Sequence, residues 1–198
     1  MFPLGTVLFP GAAIPLHIFE ERYRRLVIDH LEEDATFGIV LIERGKEVGG
    51  GDVRCDVATR CRIAESHRFE DGRWAILAQG LGRIEIHRWL DETRYPTAIV
   101  STPAVDESAD VDMYHTLALA LRHCLAMAAE LGDEAAPASL DLPDDPVKGL
   151  DAIAAAAPLT AYDAQKLLAT TSWSTCSTDL RAMLNELSDT FERRLADR

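Results

Sequence analysis

The hydrophobic pattern of the sequence changes its period near Pro103, and this change limits the possible folds more than any other feature. Before Pro103, short apolar runs rich in β-branched residues alternate with Gly and Pro; after it, Ala and Leu recur at helical spacing. Residues 1–103 carry 16 acidic and 13 basic side chains (net −3), whereas residues 104–198 carry 17 and 7 (net −10). The sequence therefore predicts an α+β chain with a β-barrel subdomain over 1–103 and a helical-bundle subdomain over 104–198.

The first part predicts about six short strands and one long helix. The helix covers 20–31, where Tyr23, Leu26, Val27 and His30 recur on one face. Asp71-Gly72 predicts a hairpin turn, and 47–52 a flexible turn. The strands are predicted over 4–9, 36–42, 53–69, 73–79, 83–90 and 97–102. Many short strands with turns between them are typical of a barrel or a sandwich.

The second part predicts four helices. They cover 110–131, 147–157, 160–169 with Thr160 as N-cap, and a last helix that begins near Thr178. Their apolar stripes require a partner, so we expect the helices to bundle together or to pack on the barrel.

Composition argues against several classes of partner and location. Acidic residues outnumber basic ones 33 to 20, giving a net charge of −13, which argues against DNA, RNA and anionic membrane surfaces as partners. No apolar run approaches the ~20 residues of a membrane span, and the apolar N-terminus lacks the basic lead-in of a signal peptide. The four cysteines form no CxxC pair, and unpaired thiols indicate a reducing cytoplasm.

Catalytic and cofactor motifs are absent from the sequence. It contains no GxxxxGK[ST], HExxH or GxSxG, and its only lysines are Lys46, Lys148 and Lys166. His115 and His123 share a helix face but lack further ligands, so no metal site, cofactor or catalytic residue is predicted. Because catalytic groups assemble in space, a hydrolase that uses a Cys and a His, such as Cys61 and His67, stays open as an alternative.

One segment stands out for its charge. Residues 15–25 join an extended apolar stretch to a helix start that holds the densest basic cluster of this acidic chain. Its candidate partner-binding residues are His17, Glu21, Arg22 and Arg25. The alternative is a solvated helix face with one arginine paired internally, since exposed charged faces are common.

Several motifs in this sequence together resemble the N-terminal substrate-binding domain of Lon proteases, and most closely the stand-alone bacterial proteins that carry only that domain. They are FPL at 2–4, VLFPG at 7–11, PLHIFE at 15–20, RY at 22–23 and FGIVLI at 37–42. The likeness continues in the second part through LT at 159–160 and DAQKLL at 163–168. It implies a PUA-like β pseudobarrel with one long helix, followed by an α-helical bundle.

The resemblance also implies a function. In full Lon proteases this region helps to capture protein substrates, while the ATPase and the Ser-Lys peptidase lie further along the chain. We therefore expect a non-catalytic, cytoplasmic protein-binding module whose partners are protein segments, a protease or a chaperone. Its oligomeric state is left open. Because PUA-like barrels elsewhere bind RNA, a PUA-like RNA-binding protein is a further alternative.

Overall fold

The computed structural model describes residues 1–31, 35–45, 51–91, 94–106 and 108–198. The chain forms two compact units, Met1–Pro103 and Ala104–Arg198. Most of the turn predicted at 47–52 lies outside the described residues. The first unit is built on a mixed sheet and the second on helices, in agreement with the α+β prediction.

The first unit is a curled six-stranded sheet with the order β1-β3-β4-β5-β2, and β6 also pairs with β5. The strands are β1 (Phe2–Leu4), β2 (Ala13–Ile18), β3 (Phe37–Arg44), β4 (Val53–Arg68), β5 (Trp74–Trp89) and β6 (Ala98–Ser101). Among the strand pairs of the described residues, β1 and β3 pair in parallel and the other pairs are antiparallel. Consequently β2 lies at one end of the strand order and β1 at the other.

The predicted hairpin at Asp71-Gly72 is confirmed as the connection between β4 and β5. Gly72 has a φ of +84°, which suits glycine, and the Asp71 carboxylate accepts a hydrogen bond from the Arg73 backbone N–H at 3.1 Å. The predicted break within 80–82 is wrong, because β5 continues through Gly80. A Cβ on Gly80 would lie 2.5 Å from the Phe9 carbonyl oxygen, so glycine permits a close backbone approach here instead of ending the strand.

The strand predicted over 4–9 is also wrong in extent. It ends at Leu4, and the chain turns at Pro10-Gly11 before β2, which the sequence pattern had not separated as a strand. Leu8 and Phe9 are nevertheless buried, and the Thr59 hydroxyl donates a hydrogen bond to the Leu8 carbonyl. An apolar run is thus buried as a loop without joining the sheet.

Helix α1 (Glu21–Asp29) supplies one wall of the core of the first unit. Tyr23, Leu26 and Val27 are buried as their spacing predicts, while His30 follows the end of the helix. The core side chains that they join come mainly from the inner face of the sheet: Phe2, Leu4, Leu16, Ile18, Phe37, Ile39, Cys61, Trp74, Ile76 and Ala78.

The second unit contains α2 (Val111–Leu131), α3 (Pro146–Ala156), α4 (Ala161–Ala169) and α5 (Trp173–Ala196). Helices α2 and α5 pack along each other, and the Cys124 thiol donates to the Leu184 carbonyl at 3.3 Å between them. The predicted N-cap is confirmed, since the Thr160 hydroxyl accepts a hydrogen bond from the Asp163 N–H at 3.2 Å.

The start predicted for the last helix is wrong by more than a turn. Helix α5 begins at Trp173, where Ser172 caps it by accepting a hydrogen bond from the Thr175 N–H. Its first turns are rich in Ser and Thr, which are only moderate helix formers and hide the helical period in the sequence. Burial of Trp173 and Cys176 stabilises these turns instead.

Candidate functional site

The four predicted contact residues lie on β2 and on the first turns of α1, but their side chains do not share one environment. His17 is exposed on the outer face of β2, where Ala13 and Pro15 are also exposed. Glu21 begins α1 and is exposed. Arg25 is 55% exposed, whereas Arg22 is only 18% exposed.

Ion pairs neutralise the basic cluster locally. The Arg22 Nε lies 3.1 Å from a Glu20 carboxylate oxygen, and its guanidinium lies over the Tyr23 ring, 4.5 Å from the centroid. Glu21 pairs with both Arg24, at 2.6 Å, and Arg25, at 3.2 Å. The segment therefore presents a mixed surface of paired charges, which lacks the strong positive field that binds phosphates.

Two cavities flank β2, one on each side of the strand. The seam cavity has a volume of about 180 Å³. It is lined by Phe2, Pro3, Leu4, Pro15, Leu16, His17, Ile18, Phe19, Glu20 and Tyr23. The outer groove has a volume of about 580 Å³. It is lined by Pro15, Leu16, His17, Glu65, Ser66, His67, Ala75, Ile76 and Leu77. Pro15, Leu16 and His17 line both cavities, so β2 is the wall that they share.

Aromatic side chains cluster beside the outer groove. His17 and His67 both lie opposite Ala75, one on each neighbouring strand. The Phe69 ring stacks on His17 with centroids 5.7 Å apart and meets the edge of His67 at 4.9 Å. Sequence reasoning missed His67 and Phe69 as surface neighbours of His17. Residues 65, 67 and 69 alternate onto one face of the sheet, so the pattern could have grouped His67 with Phe69. The position of His17 beside them depends on the strand order, which the pattern does not show.

Tyr23 forms part of the seam cavity and is almost fully buried. Its hydroxyl has no hydrogen-bond partner among the described residues. Burial raises the pKa of Tyr23 to about 12, against the opposing effect of Arg22, so the phenol stays neutral at physiological pH. The seam cavity therefore contains an uncharged hydroxyl among its mainly apolar lining side chains.

The cysteines lack the properties of a nucleophile. Burial raises the pKa of the Cys61 thiol to about 12, and it also raises the pKa values of Cys55 and Cys124. A catalytic cysteine requires a lowered pKa, because the thiolate is the reactive form. The environments of these thiols therefore give no support to the hydrolase alternative.

The described parts of the chain contain neither a cluster of metal ligands nor a helix suited to crossing a membrane. His, Cys, Asp and Glu side chains there form no group of three or more that could hold a metal ion. Among the described helices, none combines the length and the apolar character that crossing a membrane requires.

Comparison with known proteins relates most of this chain to one family. The family model of the ATP-dependent protease La (LON) substrate-binding domain matches residues 1–186. Lon protease 2 of Myxococcus xanthus is 24% identical over 195 residues, which cover 96% of this chain and 23% of that protein. The Lon protease of Anaeromyxobacter dehalogenans is 26% identical over 119 residues, covering 59% of this chain and 14% of that protein. The chain thus spans less than a quarter of these relatives.

Solved structures share the fold. A Lon N-terminal domain protein from Xanthomonas campestris superposes with a TM-score of 0.66 at 24% identity, covering 91% of this chain and 95% of that chain. The N-terminal domain of Mycobacterium avium complex Lon protease superposes with a TM-score of 0.61 at 18% identity, covering 94% and 97%. The family model, which covers nearly all of the sequence, establishes that this chain belongs to the Lon protease substrate-binding domain family.

Proposed function

We propose that this chain is a non-catalytic module that captures segments of unfolded protein, or adapts a protein partner for degradation by a separate protease. The observation that carries the proposal is the match of residues 1–186 to a substrate-binding domain, which is the part of the Lon relatives that this chain covers. Neither a peptidase nor an ATPase function is proposed for it, because the sequence contains none of the motifs that those activities use.

The geometry around β2 supports binding of protein in an extended form. An edge strand offers unpaired backbone groups, and the adjoining cavities have mainly apolar walls. Unfolded segments present both free backbone groups and apolar side chains, whereas folded proteins hide most of them. A net charge of −13 disfavours polyanions as competing ligands.

The proposed contact surface remains the segment that joins β2 to α1, with His17, Glu21, Arg22 and Arg25. His17, Glu21 and Arg25 are accessible to a partner, whereas Arg22 is largely shielded from solvent and packs against the Tyr23 ring. Free thiols at all four cysteines support a location in the reducing cytoplasm.

Binding of a fluorescently labelled disordered protein, β-casein, tests the proposal by anisotropy. We expect saturable binding by the full chain and none to a folded protein of similar size. The double variant His17→Ala with Arg25→Glu should weaken binding at least fivefold. Arg181→Glu, an exposed charge reversal on α5, is the matched control and should bind like the wild type. Failure of the wild-type chain to bind β-casein would overturn the proposed function.

A further inference from the structure

We propose that a captured protein segment adds to the free edge of β2 as an extra strand, placing alternate side chains beside the seam cavity and the outer groove. This inference rests on the proposed function and specifies the form that its ligand takes. Three observations support it. They are the alternation of β2 residues that do and do not bond to β5, the position of Pro15, and the two cavities that share β2 as a wall.

The pairing of β2 with β5 fixes which backbone groups of β2 are unused. The Gly80 N–H donates to the Ala12 carbonyl at 2.9 Å, and the register then runs without a slip from Ala13 opposite Gln79 to Ile18 opposite Trp74. In an antiparallel ladder, alternate residues exchange hydrogen bonds with the partner strand. Positions 14, 16 and 18 therefore bond to β5, and positions 13, 15 and 17 direct their backbone groups away from it.

The free edge carries a specific set of donors and acceptors. Ala13 and His17 each offer an N–H, while Ala13, Pro15 and His17 each offer a carbonyl; Pro15 has no N–H. Within the described residues, β2 has β5 as its only strand neighbour. Groups that repeat every two residues along an extended backbone are matched by another extended backbone, so the ligand is a polypeptide strand.

The cavities on the two sides of β2 explain which side chains such a strand would carry. Successive side chains of a strand point to opposite faces. Those on the inner face come beside the seam cavity, next to Leu16 and Tyr23, and those on the outer face come beside the outer groove, next to Pro15 and His17. Both cavities have largely apolar walls, so a run of consecutive apolar residues fits better than an amphipathic one.

A segment of another protein suits this edge better than a second copy of the chain. In a symmetric β2-to-β2 pair centred on Pro15, two prolines face each other and both central N–H groups are missing, whereas a foreign strand loses only one hydrogen bond. Each copy also carries a net charge of −13, which opposes self-association.

The decisive test is Pro15→Ala, which restores the missing N–H on the exposed edge. The probe is a fluorescein-labelled nine-residue peptide of seven consecutive valines with a lysine at each end, titrated with the full chain. One additional backbone hydrogen bond should tighten binding about fivefold. A gain in affinity cannot come from misfolding.

The opposite change removes an N–H that the wild type has. Ala13→Pro should weaken binding of the same peptide at least fivefold, while the bonds from positions 14, 16 and 18 to β5 are retained. Ala161→Pro is the matched control, because position 161 is the first of α4, where proline is tolerated. It should bind the peptide like the wild type.

Four outcomes decide between the hypotheses. Tighter binding by Pro15→Ala together with weaker binding by Ala13→Pro supports strand addition. If the wild type binds β-casein but Pro15→Ala and Ala13→Pro leave the peptide affinity unchanged, strand addition is wrong and the proposed function stands. If Pro15→Ala instead forms dimers in sedimentation velocity with no gain in peptide affinity, the edge prefers a second copy and the proposal is overturned. If the wild type does not bind β-casein at all, both strand addition and the proposed function are wrong.

Discussion

Thr59 donates its hydroxyl hydrogen to the backbone carbonyl of Leu8, across 51 positions of sequence. Both residues are buried, and Thr59 is fully inaccessible to solvent. The bond joins the middle of β4 to the loop that precedes β2. The Leu8 carbonyl lies in this loop, outside the strands of the sheet. It therefore positions the start of the edge strand on which the proposed binding mode depends.

We predict that Thr59→Val destabilises the chain by about 1–2 kcal/mol, because the change keeps the shape but leaves a buried carbonyl without a donor. Urea unfolding followed by circular dichroism measures the difference. Thr116→Val is the control: Thr116 is exposed on α2 and its hydroxyl donates to the Asp112 carbonyl at 2.9 Å, where water can replace it. Equal stabilities of the two variants would contradict the prediction.

Gly149 packs against the ring of Tyr114, and a Cβ at this position would overlap that ring. Alanine normally favours a helix interior over glycine, but here overpacking should dominate and Gly149→Ala should cost about 1–3 kcal/mol. The same substitution in a Tyr114→Leu background is the control, because the ring has been removed. There it should be neutral or stabilising; an equal loss in both backgrounds would show that the ring is not the cause.

The buried thiols should resist alkylation. At pH 8 we expect iodoacetamide to leave Cys61, Cys124 and Cys176 unmodified in the native chain, because they are buried and a raised pKa keeps the thiols of Cys61 and Cys124 protonated. Mass spectrometry of the native and guanidinium-unfolded chain reads out each site. Rapid labelling of native Cys61 would revive the hydrolase alternative.

The pair between Asp52 and Arg54 should make stability depend on pH in the acid range. Burial raises the pKa of Asp52, but the hydrogen bond from Arg54 outweighs it and leaves the pKa below its usual 3.8. Because the pKa of Asp52 is lower in the folded chain than in the unfolded chain, its ionisation stabilises the fold at every pH above the unfolded-state pKa. This stabilisation is lost as the pH falls through the folded-state pKa.

We therefore expect Asp52→Asn to cost about 2 kcal/mol near pH 6 and to differ less from the wild type as the pH falls below about 4. Urea unfolding at several pH values measures both. Asp179→Asn, which breaks the more exposed pair with Lys166, should cost no more than about 1 kcal/mol. If the difference in free energy of unfolding between the wild type and Asp52→Asn grew toward low pH, the predicted pH dependence would be wrong.

The two compact units should also fold separately, as the change in hydrophobic period at Pro103 predicts. We expect residues 1–103 expressed alone to give a β-rich spectrum with cooperative unfolding, and residues 104–198 to give a helical one. The full chain is the reference for both. An unfolded spectrum from either fragment would show that the two units depend on each other.

Local pattern predicted the elements whose stabilisation is itself local. The β4–β5 hairpin follows from Asp71-Gly72, and α4 follows from the Thr160 cap. The break expected at 80–82 failed because the close approach of Phe9 to Gly80 is a contact between distant segments. Helix α5 was predicted to begin late because its first turns depend on burial of Trp173 more than on helix propensity.

The candidate site was predictable only in part. The sequence drew attention to residues 15–25, where the edge strand and both cavities lie. It could not show that β2 ends the strand order, because strand order depends on long-range pairing and not on local pattern. Nor could it show that Glu20 and Glu21 neutralise the neighbouring arginines, since the pairing depends on the conformation at the start of α1.

Pro15 also sets how long a captured strand stays bound, if strands add at this edge. Affinity differences between related complexes lie mostly in the dissociation rate. One missing backbone hydrogen bond therefore shortens the residence time about fivefold. A module that transfers a bound protein to a protease gains from rapid release, because the rate of transfer is limited by dissociation of the strand from the β2 edge. The proline at the centre of β2 thus favours transfer over storage.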